Sequence, residues 1–241
     1  MNVGKPFRRA AIFGASGGIG GALADALVER GGETWAGSRA GAVADDRMHG
    51  FRFDLTDERS LAQAAATMAD APPDLVIVAS GVLTLADGTG PERSYRQIDG
   101  AAMDEMFRLN TIGPALVAKH VLPLLPRDRR SVFAALSARV GSIGDNRIGG
   151  WHSYRASKAA LNMLLKNFAI ELGRTHKQAI VAGLHPGTVD SALSEPFQAN
   201  LPAGQLTRPA DAADNLLNVI DGLAVADSGG VFDWKGEAVP A

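Results

Sequence analysis

Tyr154 and Lys158, in the run Tyr154-Arg155-Ala156-Ser157-Lys158, are the residues of this chain best placed to move a proton. Four positions apart, they project from one face of a helix. There an ammonium stabilises a phenolate and draws a tyrosine pKa down toward working pH. The chain has only two tyrosines, so the pairing is not a by-product of composition. Upstream, Gly14-Ala15-Ser16-Gly17-Gly18-Ile19-Gly20 stands where a first strand would hand over to a first helix. Amides and the helix dipole at such a turn meet the charge of a dinucleotide pyrophosphate. A nucleotide site and a proton donor in one chain predict reductase chemistry.

The end of the second strand selects between the two nicotinamide cofactors. An acidic residue there would bond the ribose 2′-hydroxyl and repel a 2′-phosphate. This chain has Gly37-Ser38-Arg39 instead. The Arg39 guanidinium can hold a phosphate and Ser38 can donate a further bond, which predicts NADP(H) over NAD(H).

Short apolar runs alternating with amphipathic stretches must position these groups, and that alternation argues for βαβ units. Strands are predicted over 10–13, 34–37, 51–53, 75–79, 131–136, 180–184 and 230–234. Helices are predicted over 19–30, 57–69, 102–125 (kinked at Pro114), 153–174 and 209–223. Right-handed crossovers then give an α/β, Rossmann-type doubly wound domain with a parallel sheet of about seven strands and helices on both faces. No repeat or composition break divides it, so residues 1–241 read as one domain.

Composition narrows the function further. There are no cysteines, which excludes disulfides, thiol catalysis and cysteine-ligated zinc, and no metal site is expected. Net charge is −2 and the pI is near 6.2, so neither nucleic acid nor an anionic membrane is an expected partner. The basic cluster Arg127-Asp128-Arg129-Arg130 reads as a solvated loop. Without a signal-peptide core or an apolar run of membrane-spanning length, the expected location is cytoplasmic and the expected partner a small molecule.

The spacing of Gly14, Gly18 and Gly20, together with Tyr154 and Lys158, resembles the short-chain dehydrogenase/reductase family, and the likeness runs along essentially the whole chain. It implies that Tyr154 is the general acid for a carbonyl oxygen, that Lys158 also binds the nicotinamide ribose, and that Asn110, in Arg108-Leu109-Asn110-Thr111, positions a water beside the lysine. It implies cofactor contacts from Gly14, Ser16, Gly18, Ile19 and Gly20. It implies further contacts from Asp54 and Leu55 at the adenine, from Ser80 and Gly81 after strand four, and from Pro186, Gly187, Val189 and Ser191 after strand six. Two departures stand out. The family's Asn-Asn-Ala-Gly appears as Val78-Ala79-Ser80-Gly81, and the threonine often found before the first glycine is Phe13.

The family usually ends strand five with two small polar residues, the second orienting the substrate carbonyl. Here Ser137 takes the first place and Ala138 the second. Strand side chains alternate, so the one-residue offset matters and leaves three readings: the strand end is irregular and Ser137 turns inward, which is preferred; Ser142 reaches in from the loop; or neither acts. Asp145 to His152 lengthens the interval to Tyr154, with Trp151 or His152 at the substrate mouth and 192–206 in the place of the family's lid. This interval and Phe232-Asp233-Trp234-Lys235-Gly236 most resemble the C-signal and sniffer-type carbonyl reductase branch. That branch implies NADPH-dependent reduction of an aldehyde or ketone, and related enzymes' association through their long helices (here 102–125 and 157–172) implies a homodimer or homotetramer. A cofactor-binding regulatory protein with little turnover, or a lyase or epimerase on the same fold, are the alternatives.

Overall fold

The buried strand residues fall into two alternating sets, and the fold follows from that. In the computed structural model, which describes residues 7–43, 45–200 and 204–241, the elements run in a βαβ succession. They are β1 (Arg9–Phe13), α1 (Gly18–Glu29), β2 (Glu33–Ser38), β3 (Met48–Arg52), α2 (Glu58–Thr67), β4 (Leu75–Val78), α3 (Gly100–Phe107), α4 (Gly113–Val121), β5 (Ser131–Leu136), α5 (His152–Leu172), β6 (Ala179–His185), β7 (Thr188–Val189), β8 (Leu206–Thr207), α6 (Pro209–Gly222) and β9 (Val231–Asp233). Seven strands form one parallel sheet in the order β3-β2-β1-β4-β5-β6-β9, while β7 and β8 pair separately.

Ala11, Phe13, Val76, Val78, Phe133 and Ala135 face one side, against Leu61 of α2, Val117 of α4, and Leu161 and Leu165 of α5. Ala10, Ile12, Leu75, Ile77, Val132 and Ala134 face the other, against Leu23 of α1 and Leu216 and Ile220 of α6. Each fully buried large side chain contributes about 1.5–3 kcal/mol, so both helix layers are firmly held. Chain order reverses around β1 and β4, and the crevice at that reversal is where ligands of such sheets bind. Among the described residues no helix is long and apolar enough to cross a membrane.

The short β7–β8 pair was not expected, and two expected elements differ in extent. β3 begins at Met48 because pairing with β2, Thr34 against Met48 onward, recruits His49 and Gly50 despite their weak strand preference. The long helix predicted over 102–125 is broken by a π-turn over Arg108–Ile112. Pro114 is not the cause. It lies in the first turn of α4, where a missing N–H costs little. The break sits at Asn110, as π-turns often do at functional positions.

Candidate active site

Tyr154 and Lys158 occupy the first two turns of α5, with the Lys158 ammonium 5.8 Å from the centre of the Tyr154 ring. Lys158 Nζ donates to the Leu136 carbonyl at the end of β5, at 2.8 Å. A Cβ on Gly81 would lie 3.0 Å from Asn110 Oδ1 and 3.4 Å from Lys158 Nζ, so glycine is what lets the β4 exit lie against both. Asn110 accepts from Val82 N and donates to Val82 O, both at 2.8 Å, in the manner of a strand partner. Thr111 Oγ1 donates to Ser157 O at 2.8 Å and ties the π-turn to α5. The structure thus brings Asn110, Gly81, Tyr154 and Lys158 together.

The walls around Tyr154 are apolar: Leu83, Leu85, Met106 and Ala138, with Val140, Trp151 and Phe197 packed beside them. Burial pushes the Tyr154 phenol up to about 12 and the Lys158 ammonium down to about 8. The expected lowering of the tyrosine by its lysine is therefore outweighed. Burial is the cause of both shifts, because desolvation disfavours the charged form of each group.

The serine expectation is also revised. Ser137 Oγ donates to Asn162 Oδ1 at 2.6 Å, about two turns along α5 from Tyr154. Ala138 keeps extended backbone (φ −150°), so strand alternation persists and its methyl packs into the Tyr154 cluster. Ser142 Oγ accepts from Asp145 N at 3.0 Å and closes its own loop. The Ser137 and Ser142 hydroxyls are both engaged with protein partners, and the position facing Tyr154 carries a methyl.

On the nucleotide side, Gly14 has φ +105°, and a Cβ there would meet Ser80 Oγ at 2.6 Å. A Cβ on Gly20 would fall 2.1 Å from the Gly14 carbonyl, and one on Gly18 would fall 3.3 Å from Ser191 Cβ. Gly17, the N-cap of α1, offers no side-chain bond, so the first-turn amides stay open to a ligand. This cradle of glycines and open amides fits a pyrophosphate. Ser16 is exposed there and Ile19 half-buried. Ser80 Oγ donates to Phe13 O at 3.1 Å, fastening the two strand ends that flank the crevice.

Arg39 is exposed at the end of β2 and makes no ion pair among the described residues, whereas Ser38 is buried and accepts from Gly41 N at 2.9 Å. Arg52, the register partner of Ser38 on β3, is a second exposed cation at this corner. Bonds from Thr56 to Asp54, and then the charges of Arg39 and Arg52, hold the Asp54 carboxyl below its usual range. The Leu55 side chain packs against Gly113 inside the core, leaving only its backbone to face a ligand. Beyond β6, Gly187 (φ +77°) turns under the Trp234 ring, next to half-buried Pro186. Val189 O accepts from Ser191 Oγ, which sits beside Gly18. Of the expected lid, residues 192–200 and 204–206 are described and 201–203 lie outside the described residues.

Several residues escaped the sequence reading. Arg52 had a legible signal, its alternation with Phe51 and Phe53 in the predicted strand, whereas its register with Ser38 is seen only in the fold. Phe197 packs its ring 5.3 Å from Trp151, which in turn stands edge-on 6.2 Å from Tyr154. Trp151 holds φ +53°, a left-handed conformation no local pattern announces for tryptophan. Glu92 reaches α5 from 61 residues away.

The short chain dehydrogenase family model matches residues 8–202. C-signal of Myxococcus xanthus is 34% identical over 176 residues, covering 73% of this chain and 97% of that protein. The 1-hydroxy-2-glutathionyl-2-methyl-3-butene dehydrogenase of Rhodococcus sp. (strain AD45) is 33% identical over 178 residues, 73% of each chain. Among solved structures, the NADPH-bound carbonyl reductase from chicken fatty liver aligns with a TM-score of 0.83 at 22% identity, over 100% of this chain and 97% of the other. The carbonyl reductase Sniffer of D. melanogaster aligns with a TM-score of 0.82 at 20% identity, over 97% and 99%. At those identities the structural likeness speaks for the fold, and the family match for descent. With the glycine cradle at the head of α1 and the Tyr154–Lys158 pair on α5, the chain belongs to the short-chain dehydrogenase family.

Proposed function

We propose that this member of an oxidoreductase family reduces an aldehyde or ketone to an alcohol with NADPH, and that Tyr154 supplies the proton. The observation that carries the reading is the convergence of Tyr154, Lys158, Asn110 and Gly81 at the exits of β4 and β5. When bound, the reduced nicotinamide supplies the hydride. Tyr154, kept neutral by burial, has a proton to give the carbonyl oxygen as charge develops there. Lys158 binds ribose hydroxyls and, when charged, stabilises the phenolate left behind. Asn110 fixes Val82 and so holds Gly81 against the lysine.

Arg39, with Arg52 beside it and Ser38 beneath, receives the 2′-phosphate and favours NADP(H). Gly14, Gly18 and Gly20 cradle the pyrophosphate, with Ser191 alongside and the backbone near Val189 facing the carboxamide. The apolar wall of Leu83, Leu85 and Trp151 suits a carbonyl on a hydrocarbon or aromatic body. A self-association face is read on the α4–α5 side, where Ile112, Met163 and Ile170 are exposed.

Oxidation of NADPH against NADH with a panel of aldehydes, ketones and quinones tests the reading. Turnover favouring NADPH supports it. Silence across the panel with NADPH bound supports a second reading, a cofactor-binding regulatory protein. That second reading is favoured by one observation, the Ala138 methyl in the place of a substrate-orienting hydroxyl.

A further inference from the structure

The first turn of α5 has an unusual beginning. Its N-cap, Trp151, is left-handed and offers no side-chain bond to the turn's open amides. A carboxylate from elsewhere fills that place. Glu92 lies on the strap between β4 and α3, and its carboxylate accepts from Ser153 N at 3.1 Å and from Ser153 Oγ. Its carbonyl also accepts from Trp151 N. A negative group on the positive end of a helix is stabilising, and more so when half-buried.

The strap and the proton donor are thereby joined one residue from Tyr154. The same strap carries Leu83 and Leu85 into the Tyr154 wall. Beneath it, side chains do not fill the space: a cavity of about 340 Å³ is lined by Leu85, Glu92, Met106 and Ser153, among others. Asn110 and the buried Leu83 and Leu85 anchor the strap near β4, and beside this cavity the Glu92 bonds to Trp151 and Ser153 fasten its far part to α5. Arg155 secures the other side of the turn, donating to Gly150 O at 3.0 Å and Val140 O at 3.1 Å.

We infer that Glu92 is a positioning residue for Tyr154, capping the catalytic helix across the strap and closing the apolar wall over the phenol. This rests on reading Tyr154 as the proton donor. Against the opposing effect of burial, the Ser153 bonds and then nearby His152 hold the Glu92 carboxyl below its usual range, and Arg93 and Asp99 are the charged groups along the same cavity.

The test exploits the two tyrosines of the chain. Tyr95 is 66% exposed, so a Tyr95→Phe background leaves Tyr154 as the sole source of phenolate absorbance. In that background, Glu92→Ala should let water into the first turn and bring Tyr154 ionisation down toward the ordinary tyrosine value of 10. It should also lower kcat for a carbonyl on the order of ten- to a hundredfold, the scale of a misplaced catalytic group, with NADPH affinity unchanged. Glu92→Gln keeps an acceptor for Ser153 N and should restore most of kcat. Ser153→Ala, a milder change, should move both readouts in the same direction by less.

Unmoved ionisation and unmoved kcat in Glu92→Ala would overturn the inference. So would an equal loss in Glu92→Gln with unmoved ionisation, which would assign the effect to charge alone. If the parent protein turns over no carbonyl, the reductase reading falls by itself. A shifted Tyr154 titration would still support the clamp, and an unshifted one would sink it.

Discussion

Lys158 makes stability depend on pH in a direction opposite to that of a lysine gaining a partner. It is 4% exposed, and burial lowers its pKa from 10.5 to about 8. Between those values the unfolded chain holds a proton that the native chain has released. Stability therefore rises with pH across that window, is complete above 10.5, and is lost as pH falls through about 8. At about 1.4 kcal/mol per pH unit the whole effect is about 3 kcal/mol. About 1 kcal/mol has appeared by about pH 9 and about 2–3 kcal/mol by about pH 10.

Other buried groups leave the window clear. Tyr154, raised to about 12, acts only above its unfolded value of 10, where it makes stability fall with pH. His185, pushed down to about 4 by burial, is already neutral. Lys158→Met removes the titration. It also leaves Leu136 O without its 2.8 Å donor, a cost of about 1–3 kcal/mol that does not vary with pH. The informative quantity is thus the difference in slope. Urea unfolding of both proteins without cofactor, from about pH 7 to about pH 10, should show the parent gaining about 2–3 kcal/mol relative to the variant. Parallel curves would refute the buried, cofactor-free ammonium from which the reasoning starts.

Ala138→Ser places a hydroxyl in the Tyr154 cluster and should raise kcat for carbonyl reduction about tenfold, the scale of one well-aimed hydrogen bond; steady-state kinetics with no gain would remove Ala138 from the substrate position. Arg39→Asp should reverse the NADPH-over-NADH ratio of kcat/KM by more than about tenfold, since a carboxylate repels a 2′-phosphate and bonds a 2′-hydroxyl; an unchanged ratio would sink the phosphate contact. Gly81→Ala drives a methyl to 3.0 Å from Asn110 Oδ1 and should cost about 1–3 kcal/mol in thermal or urea unfolding, whereas a neutral outcome would mean the β4 exit is looser than described. Met163→Glu combined with Ile170→Glu should convert an oligomer to a monomer by light scattering, and an unaltered mass would place any interface elsewhere.

The layers were legible in the sequence because burial on both faces leaves continuous apolar runs such as Leu75-Val76-Ile77-Val78, which only a central parallel strand explains. Boundaries were legible where a local reason existed, as at Asp57, whose carboxylate accepts from Arg59 N at 3.0 Å and starts α2. They were not where a neighbour supplies the reason. Nothing in Met48-His49-Gly50 announces a strand, and only the backbone of β2 makes it one. The π-turn at Asn110 was equally hidden, and the Asn110 side chain it carries bonds Val82, 28 residues away.

The site divides along the same line. Tyr154 and Lys158 were readable because a four-residue spacing is a local fact that survives in any helix. The direction of Ser137 was not, although alternation alone already argued against it. Choosing between Ser137 and Ala138 required knowing that extended backbone continues past β5 and that Asn162 waits on the far turn of α5. Glu92 lies further out of reach still. A glutamate in a polar strap has no local signature, and its partner amide follows a run of three left-handed residues, Gly149, Gly150 and Trp151, at φ +69°, +67° and +53°. The family pattern therefore picks out the groups proposed to react, while the contacts that would aim them lie across the fold. Those contacts are where two members with the same Tyr-x-x-x-Lys would diverge in rate and substrate.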